Sequence, residues 1–196
     1  MSTAIGTADE SDETLIRASA CGEEHSFARL VERYRNRVAQ LVRWHLGPRS
    51  LWVDDVAQDV FVRVHRNAST FEGRASFKTW LYSIALNTCR DHVRRETAAT
   101  RPGPAGDGAE EALAALPDGT LDPLERLEHR EREALVRAAV ERLAPPHRTV
   151  LQLRDWEDMS YAQIAAVLDV PVGTVRSRLH NARAALAREL IGCFGR

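Results

Sequence analysis

Between Ser160 and Leu190 the chain reads SYAQIAAVLDVPVGTVRSRLHNARAALAREL. Two apolar stripes of helical period sit on either side of a short break, and that pattern leaves room for little but two helices and a tight turn. Ser160 is placed to cap the first helix, and Gln163, three residues on, completes a capping box. Ile164, Val167 and Leu168 give this helix one apolar face. Asp169 and Val170 occupy the turn. Pro171 suits the first turn of a new helix, where its missing N–H costs nothing. In the second helix Val175, Leu179, Ala182, Leu186 and Leu190 recur at steps of three and four and form one buried stripe. The opposite face carries Thr174, Ser177, His180, Asn181 and Arg188, with Arg176 and Arg178 flanking it. A helix-turn-helix places the start of its second helix in the major groove. There Arg can read guanine through two hydrogen bonds, while Ser and Asn read base edges or hold phosphates. An ordinary helical hairpin with a solvated Arg-rich face explains the periodicity. It leaves the agreement of cap, turn and polar face unexplained.

The run DVPVGTVRSRLHNARAAL resembles the carboxy-terminal helix-turn-helix of the extracytoplasmic-function sigma factors, small members of the sigma-70 superfamily of bacterial transcription initiation factors. The remaining residues can be asked whether they agree.

At 196 residues and 44% hydrophobic content, the chain is long enough for one domain or two small ones with packed cores. No apolar run approaches the length of a membrane span. The acidic start MSTAIGTADESDETL has no apolar core segment, which speaks against a signal peptide and for the cytoplasm. Cys21, Cys89 and Cys193 are far apart and make no CxxC pair, so neither a disulfide framework nor a zinc site is expected. Cys89 falls inside a helix and reads as a small buried side chain.

The formal net charge of −1 does not by itself suggest nucleic acid. Its distribution does. Residues 61–95 hold seven basic residues against two acids, and residues 171–196 hold five against one. The segments 1–24 and 96–124 each hold six acids and one Arg. Two basic segments separated by an acidic one suggest two nucleic-acid-facing modules and a connector that does not bind.

Residues 1–13 are polar, acidic and aperiodic, and are expected to be disordered. A short helix follows to about Ala20, ended by Gly22. From His25 to Leu46 the apolar side is Phe27, Leu30, Val31, Tyr34, Val38, Leu41 and Val42; Arg29, Arg33, Arg35, Arg37 and Arg43 make the other faces basic. Gly47 and Pro48 end that helix. The next helix is read over 51–66, with Val53, Val56, Val60 and Val64 as its core stripe. Asp55, Gln58, Asp59, Val62 and Arg66 share another face, where an Asp59–Arg63 pair is expected. Asp54, Asp55 and Asp59 taken as metal ligands find nothing at matching spacing to complete a site. Residues 67–76 form a loop with one large apolar residue, Phe71. A helix over 76–95 is capped by Ser76. Phe77, Leu81, Ile84 and Thr88 face inward, while Trp80, Ser83, Asn87, Arg90 and Arg94 align on another face. An aromatic ring, an amide and guanidinium groups in one row suit single-stranded DNA: the ring stacks, the amide reads an edge and Arg holds phosphates. Packing of Trp80 into the core is the equally good alternative on the residues alone.

The segment DDVAQDVFVRVHRNASTFEGRASFKTWLYSIALNTCRDHVRR resembles region 2 of the same sigma factors, in the same order relative to the helix-turn-helix. The resemblance implies that Asp54, Asp55, Gln58, Asp59 and Val62 lie on the face that meets the clamp of the polymerase largest subunit. It implies that the 68–76 loop, with Phe71 and Ser76, captures a base flipped out of the minus-ten element. It implies that Trp80, Ser83, Asn87 and Arg90 line the path of the melted strand. Thr174, Arg176, Ser177, Arg178, His180 and Asn181 would then face the minus-thirty-five element.

Residues 97–122 are rich in Pro, Gly and Ala and net acidic, and read as a flexible linker. From Pro123, helices are expected over 124–143, with Leu127, Leu135, Val136, Ala139 and Val140 apolar, and over 147–156, with Val150, Leu151 and Leu153 inward. Ala144, Pro145 and Pro146 separate them; Gly192 and Gly195 end the last helix. The expectation is an all-α protein of two small helical domains: a region 2 bundle (14–96) and a helix-turn-helix domain, region 4 (123–192). Through the resemblance its partners are core RNA polymerase, by the largest-subunit clamp and the second-largest-subunit flap, promoter DNA, and an anti-sigma factor. No cofactor, metal or catalytic residue is called for. A stand-alone helix-turn-helix regulator would leave 51–95 without a purpose, and a nucleic-acid enzyme would need an acid–base or metal constellation that the sequence lacks.

Overall fold

In a computed structural model, residues 10–47, 50–99 and 134–194 are described. Every regular element among them is helical. Their contacts divide them into two units, one built on 10–42, 52–99 and 166–169, the other on 43–47, 50–51, 134–165 and 170–194. Most of the expected tether and the start of the 124–143 helix lie outside the described residues.

The amino-terminal helices are α1 (Asp12–Ala20), α2 (Glu24–Leu46), α3 (Val53–Arg66) and α4 (Phe77–Ala99). Ser11 caps α1, its hydroxyl accepting the Thr14 N–H at 3.2 Å. Gly22 closes it at φ +97° and Gly47 follows α2 at φ +105°, backbone that glycine adopts without a Cβ penalty. The valine stripe of α3 is buried as its spacing predicts: Val53, Val56, Val60 and Val64 are all at most 5% exposed. The helix starts two residues later than expected, leaving Leu51 and Trp52 exposed ahead of it. Helix α4 packs against α3 and α1. Phe77, Leu81 and Thr88 face inward as expected, and Ile84 is half-buried. Tyr82, Ala85, Leu86 and Cys89 are buried as well. Helix α4 is thus covered on more of its circumference than one stripe would require, and burial pushes the Cys89 thiol up to about 12.

The expected Asp59–Arg63 pair does not form. Arg63 reaches across to α4 and binds Asp91 at 2.7 Å, which holds that carboxyl below its ordinary range through the hydrogen bond and the guanidinium charge. An i,i+4 pair on one helix is worth only a few tenths of a kcal/mol, so a partner on the packed neighbour easily displaces it. The basic face of α2 is likewise partly neutralised: Arg29 pairs with Glu10, and Arg33 with Asp12 at 2.7 Å.

The carboxy-terminal helices are α5 (described over 134–141), α6 (Pro145–Leu151), α7 (Tyr161–Leu168) and α8 (Val172–Phe194). Ala139 and Val140 are fully buried, but Leu135 is 37% exposed, against expectation. Pro145 and Pro146 do not merely interrupt; they open α6, after Ala144, in the first-turn positions where proline is best tolerated. Residues 152–156 widen into one π-helical turn, so the expected 147–156 helix is a composite of two geometries. Val150, Leu151 and Leu153 are inward as read, and α6 packs on α8. Helix α8 runs through Gly192 to Phe194; the expected stop at Gly192 does not occur.

Candidate nucleic-acid interface

The capping box forms as written in the sequence. The Gln163 N–H donates to Ser160 Oγ at 3.2 Å, and Gln163 Oε1 accepts the Ser160 N–H at 2.8 Å. Ile164, Val167 and Leu168 are buried. Asp169 takes the left-handed turn at φ +55°, and the Val170 N–H closes on the Ala165 carbonyl at 3.1 Å. Pro171 sits just ahead of α8, and its carbonyl receives the Thr174 and Val175 N–H groups. It is therefore a cap residue and not a first-turn residue. Val175, Leu179 and Ala182 are at most 2% exposed, while Leu186 and Leu190 are half-buried. The stripe turns the other side of α8 outward. Arg176, Ser177, His180 and Asn181 are exposed and, with Gly173, line one open depression. Thr174 and Arg178 are half-buried to either side. Thr174 also accepts the Ser177 hydroxyl at its carbonyl, 3.0 Å away. Arg183 is held by Asp155 at 2.7 Å, its charge stabilised first by that hydrogen bond; this tie was not readable from the sequence.

On α4 the expected cap is present: Ser76 Oγ accepts the Thr79 N–H at 3.2 Å. Trp80 is half-buried, its ring 5.4 Å from Phe71 and 6.1 Å from Phe77. Ser83 spends its hydroxyl on the Thr79 carbonyl at 2.9 Å. Asn87 is exposed and accepts from Arg90 Nη1 at 3.0 Å, which leaves the amide NH2 as the group turned to solvent. Phe71 differs from expectation. It is 8% exposed and packs between Phe77 and Trp80, so its ring anchors the loop and is not held out for a base. The exposed part of the loop is residues 72–75. A large apolar side chain in a polar loop gains more from the adjacent aromatic pair than from water.

Asp54, Asp55, Gln58, Asp59 and Val62 are all exposed along α3, opposite its valine stripe. Sequence reasoning missed the fastening of α1 beneath α4. Asp12 takes Arg33 and the Tyr34 hydroxyl, and Glu13 accepts the Phe77 N–H at 2.9 Å. These partners stand twenty-one to sixty-four residues apart, and no local spacing marks them.

An exposed polar face on a capped helix-turn-helix, in a chain whose other helical unit has a polar row of its own, is the architecture of a helical DNA-binding protein. The sigma-70 region 2 family matches residues 30–99 and the sigma-70 region 4 family residues 133–186. The RNA polymerase sigma-H factor of Pseudomonas aeruginosa is 35% identical over 185 residues, 92% of this chain and 94% of its own. The sigma-E factor of Escherichia coli K12 is 35% identical over 180 residues, 89% of this chain and 92% of its own. CnrH, in its complex with the cytosolic domain of CnrY, superposes with TM-score 0.63 at 28% identity over 93% of this chain and 99% of that one. The Bartonella quintana RpoE chain, solved with the anti-sigma factor NepR, shares the fold at TM-score 0.65 and 20% identity, over 84% of this chain and 96% of that one. The chain belongs to the extracytoplasmic-function sigma factors of the sigma-70 superfamily, and its function is promoter-specific initiation by RNA polymerase.

Proposed function

We propose that the chain reads its promoter in two chemically different forms. The start of α8 enters the major groove of the minus-thirty-five duplex, where Arg176, Ser177, His180 and Asn181 reach base edges and Thr174 and Arg178 hold flanking phosphates. The loop after α3 and the row Trp80, Ser83, Asn87 and Arg90 on α4 take the minus-ten element as a melted strand. A base stacks on the accessible part of Trp80, and the free amide hydrogens of Asn87 reach a base edge that only melting exposes. The observation that carries this reading is an open depression on α8 that gathers four of the six residues proposed for the duplex.

The exposed strip Asp54, Asp55, Gln58, Asp59 and Val62 is the surface for the clamp of the polymerase largest subunit, and the carboxy-terminal helices meet the flap of the second-largest. Residues 97–122 tether the two domains. The polymerase supplies the chemistry, and this chain acts in the cytoplasm without a cofactor. CnrH and Bartonella RpoE were each solved with a partner, which supports an anti-sigma factor for this chain too.

Co-purification with bacterial core RNA polymerase, followed by transcription from a pool of genomic fragments, tests the reading. A stable one-to-one complex that starts at defined sites is expected, and the aligned start sites yield both promoter elements. Sequence-specific DNA binding by the chain alone, with no polymerase complex, would refute it.

A further inference from the structure

The geometry points to Arg17 of α1 as a phosphate contact for the melted strand, beside the loop and α4. The inference rests on the single-strand reading just proposed. A Cβ built on Gly73 would lie 2.6 Å from Arg17 Nη2 and 3.8 Å from Cζ, so the guanidinium lies against the bare backbone of the exposed loop. Gly73 also has φ +73°, where a side chain would be strained. The local conformation therefore calls for glycine here, and a residue without a Cβ is also where a nucleic-acid backbone can approach most closely.

The platform under Arg17 is firm. Leu15 and Ile16 are at most 1% exposed, Asp12 is bound to Arg33 and Tyr34, and Glu13 caps the first turn of α4. The helix that carries Arg17 is thus held in place before any ligand arrives, which lowers the entropy lost on contact. Neighbouring cations are already engaged: Arg29 with Glu10, Arg33 with Asp12, Arg63 with Asp91, and Arg74 with Glu72 at 2.6 Å. Arg17 is exposed, and no carboxylate among the described residues pairs with it. An unneutralised guanidinium at the lip of a loop has the geometry to fork onto a phosphate. A melted strand crossing residues 72–75 brings one phosphate per nucleotide past it.

The test uses holoenzyme and a fluorescent non-template oligonucleotide spanning the minus-ten element of a mapped promoter, titrated across salt concentration. Arg17→Ala is expected to weaken binding by on the order of tenfold. It should reduce the slope of log K against log salt by about 0.7, the share of one phosphate on a single strand. The loss should be equal on oligonucleotides differing at single bases, and Arg17→Lys should recover most of the slope. Unchanged binding would overturn the inference. So would a loss at unchanged slope, which marks a mere buttress of the loop, or a loss confined to one base, which marks base reading. Should Arg17→Ala fold poorly by circular dichroism, Arg17→Gln keeps the stem and removes only the charge, with the same expectations. Failure of wild-type holoenzyme to hold the oligonucleotide, with Asn87→Ala also silent, would sink the single-strand reading itself; tight wild-type binding with a silent Arg17→Ala sinks this inference alone.

Discussion

Truncating Phe71 separates an anchor from a base platform without any DNA in the experiment. The residue is 8% exposed, and its ring lies 6.2 Å from that of Phe77 and 5.4 Å from that of Trp80 between ring centres. Removing a ring that buries on the order of 150 Å² forfeits about 4 kcal/mol at 25 cal/mol per Å². That figure is an upper bound, because the unfolded chain already buries part of this surface. The adjoining loop is exposed and can settle into the space, so roughly 3 kcal/mol is the expected cost of Phe71→Ala, at the low end for a buried aromatic. Phe71→Leu should cost about half as much. The assay is urea unfolding of the full free chain, with amide hydrogen exchange to localise the loss to α3 and α4. A two-unit chain need not unfold in one step, and exchange reads each helix separately. A free protein within about 0.5 kcal/mol of wild type, the range of a surface change, would refute the anchoring argument.

Arg176→Ala should weaken recognition of the upstream element by about 1–3 kcal/mol in a footprint or competition assay if its fork reads a base; equal weakening on every sequence would make it a phosphate contact instead. Asn87→Ala should impair open-complex formation, followed by permanganate reactivity of melted thymines, more than closed-complex binding. Equal loss in both would contradict its placement on the melted strand. Both partners of the Arg63–Asp91 pair are more than a third exposed, so Arg63→Ala should cost at most about 1 kcal/mol at neutral pH. Asp91 has its pKa depressed in the fold, so the pair's contribution is present above the ordinary aspartate pKa and fades as pH falls through the depressed value. The stability gap between wild type and Arg63→Ala should therefore close in acid, and a gap that widened there would contradict the assignment.

Much of this protein was legible in its residue order because its signals are local. A capping box spans three residues, and a buried stripe repeats every three or four. The chain therefore announced α3, α4, α7 and α8 and the outward face of α8 without help from distant partners. What the tertiary structure decided was everything that depends on which surface lies opposite. Arg63 had an acid one turn away and chose another across the helix pair, because packing brought Asp91 within 2.7 Å. Phe71 looked available in a polar loop until Phe77 and Trp80 closed over it. Glu13 found the first turn of α4, and Arg17 the one loop position without a Cβ, across more than fifty residues of chain. Periodicity records which side of a helix is buried. It carries no record of the neighbour that buries it, and contact energies of this kind exist only once the helices have met.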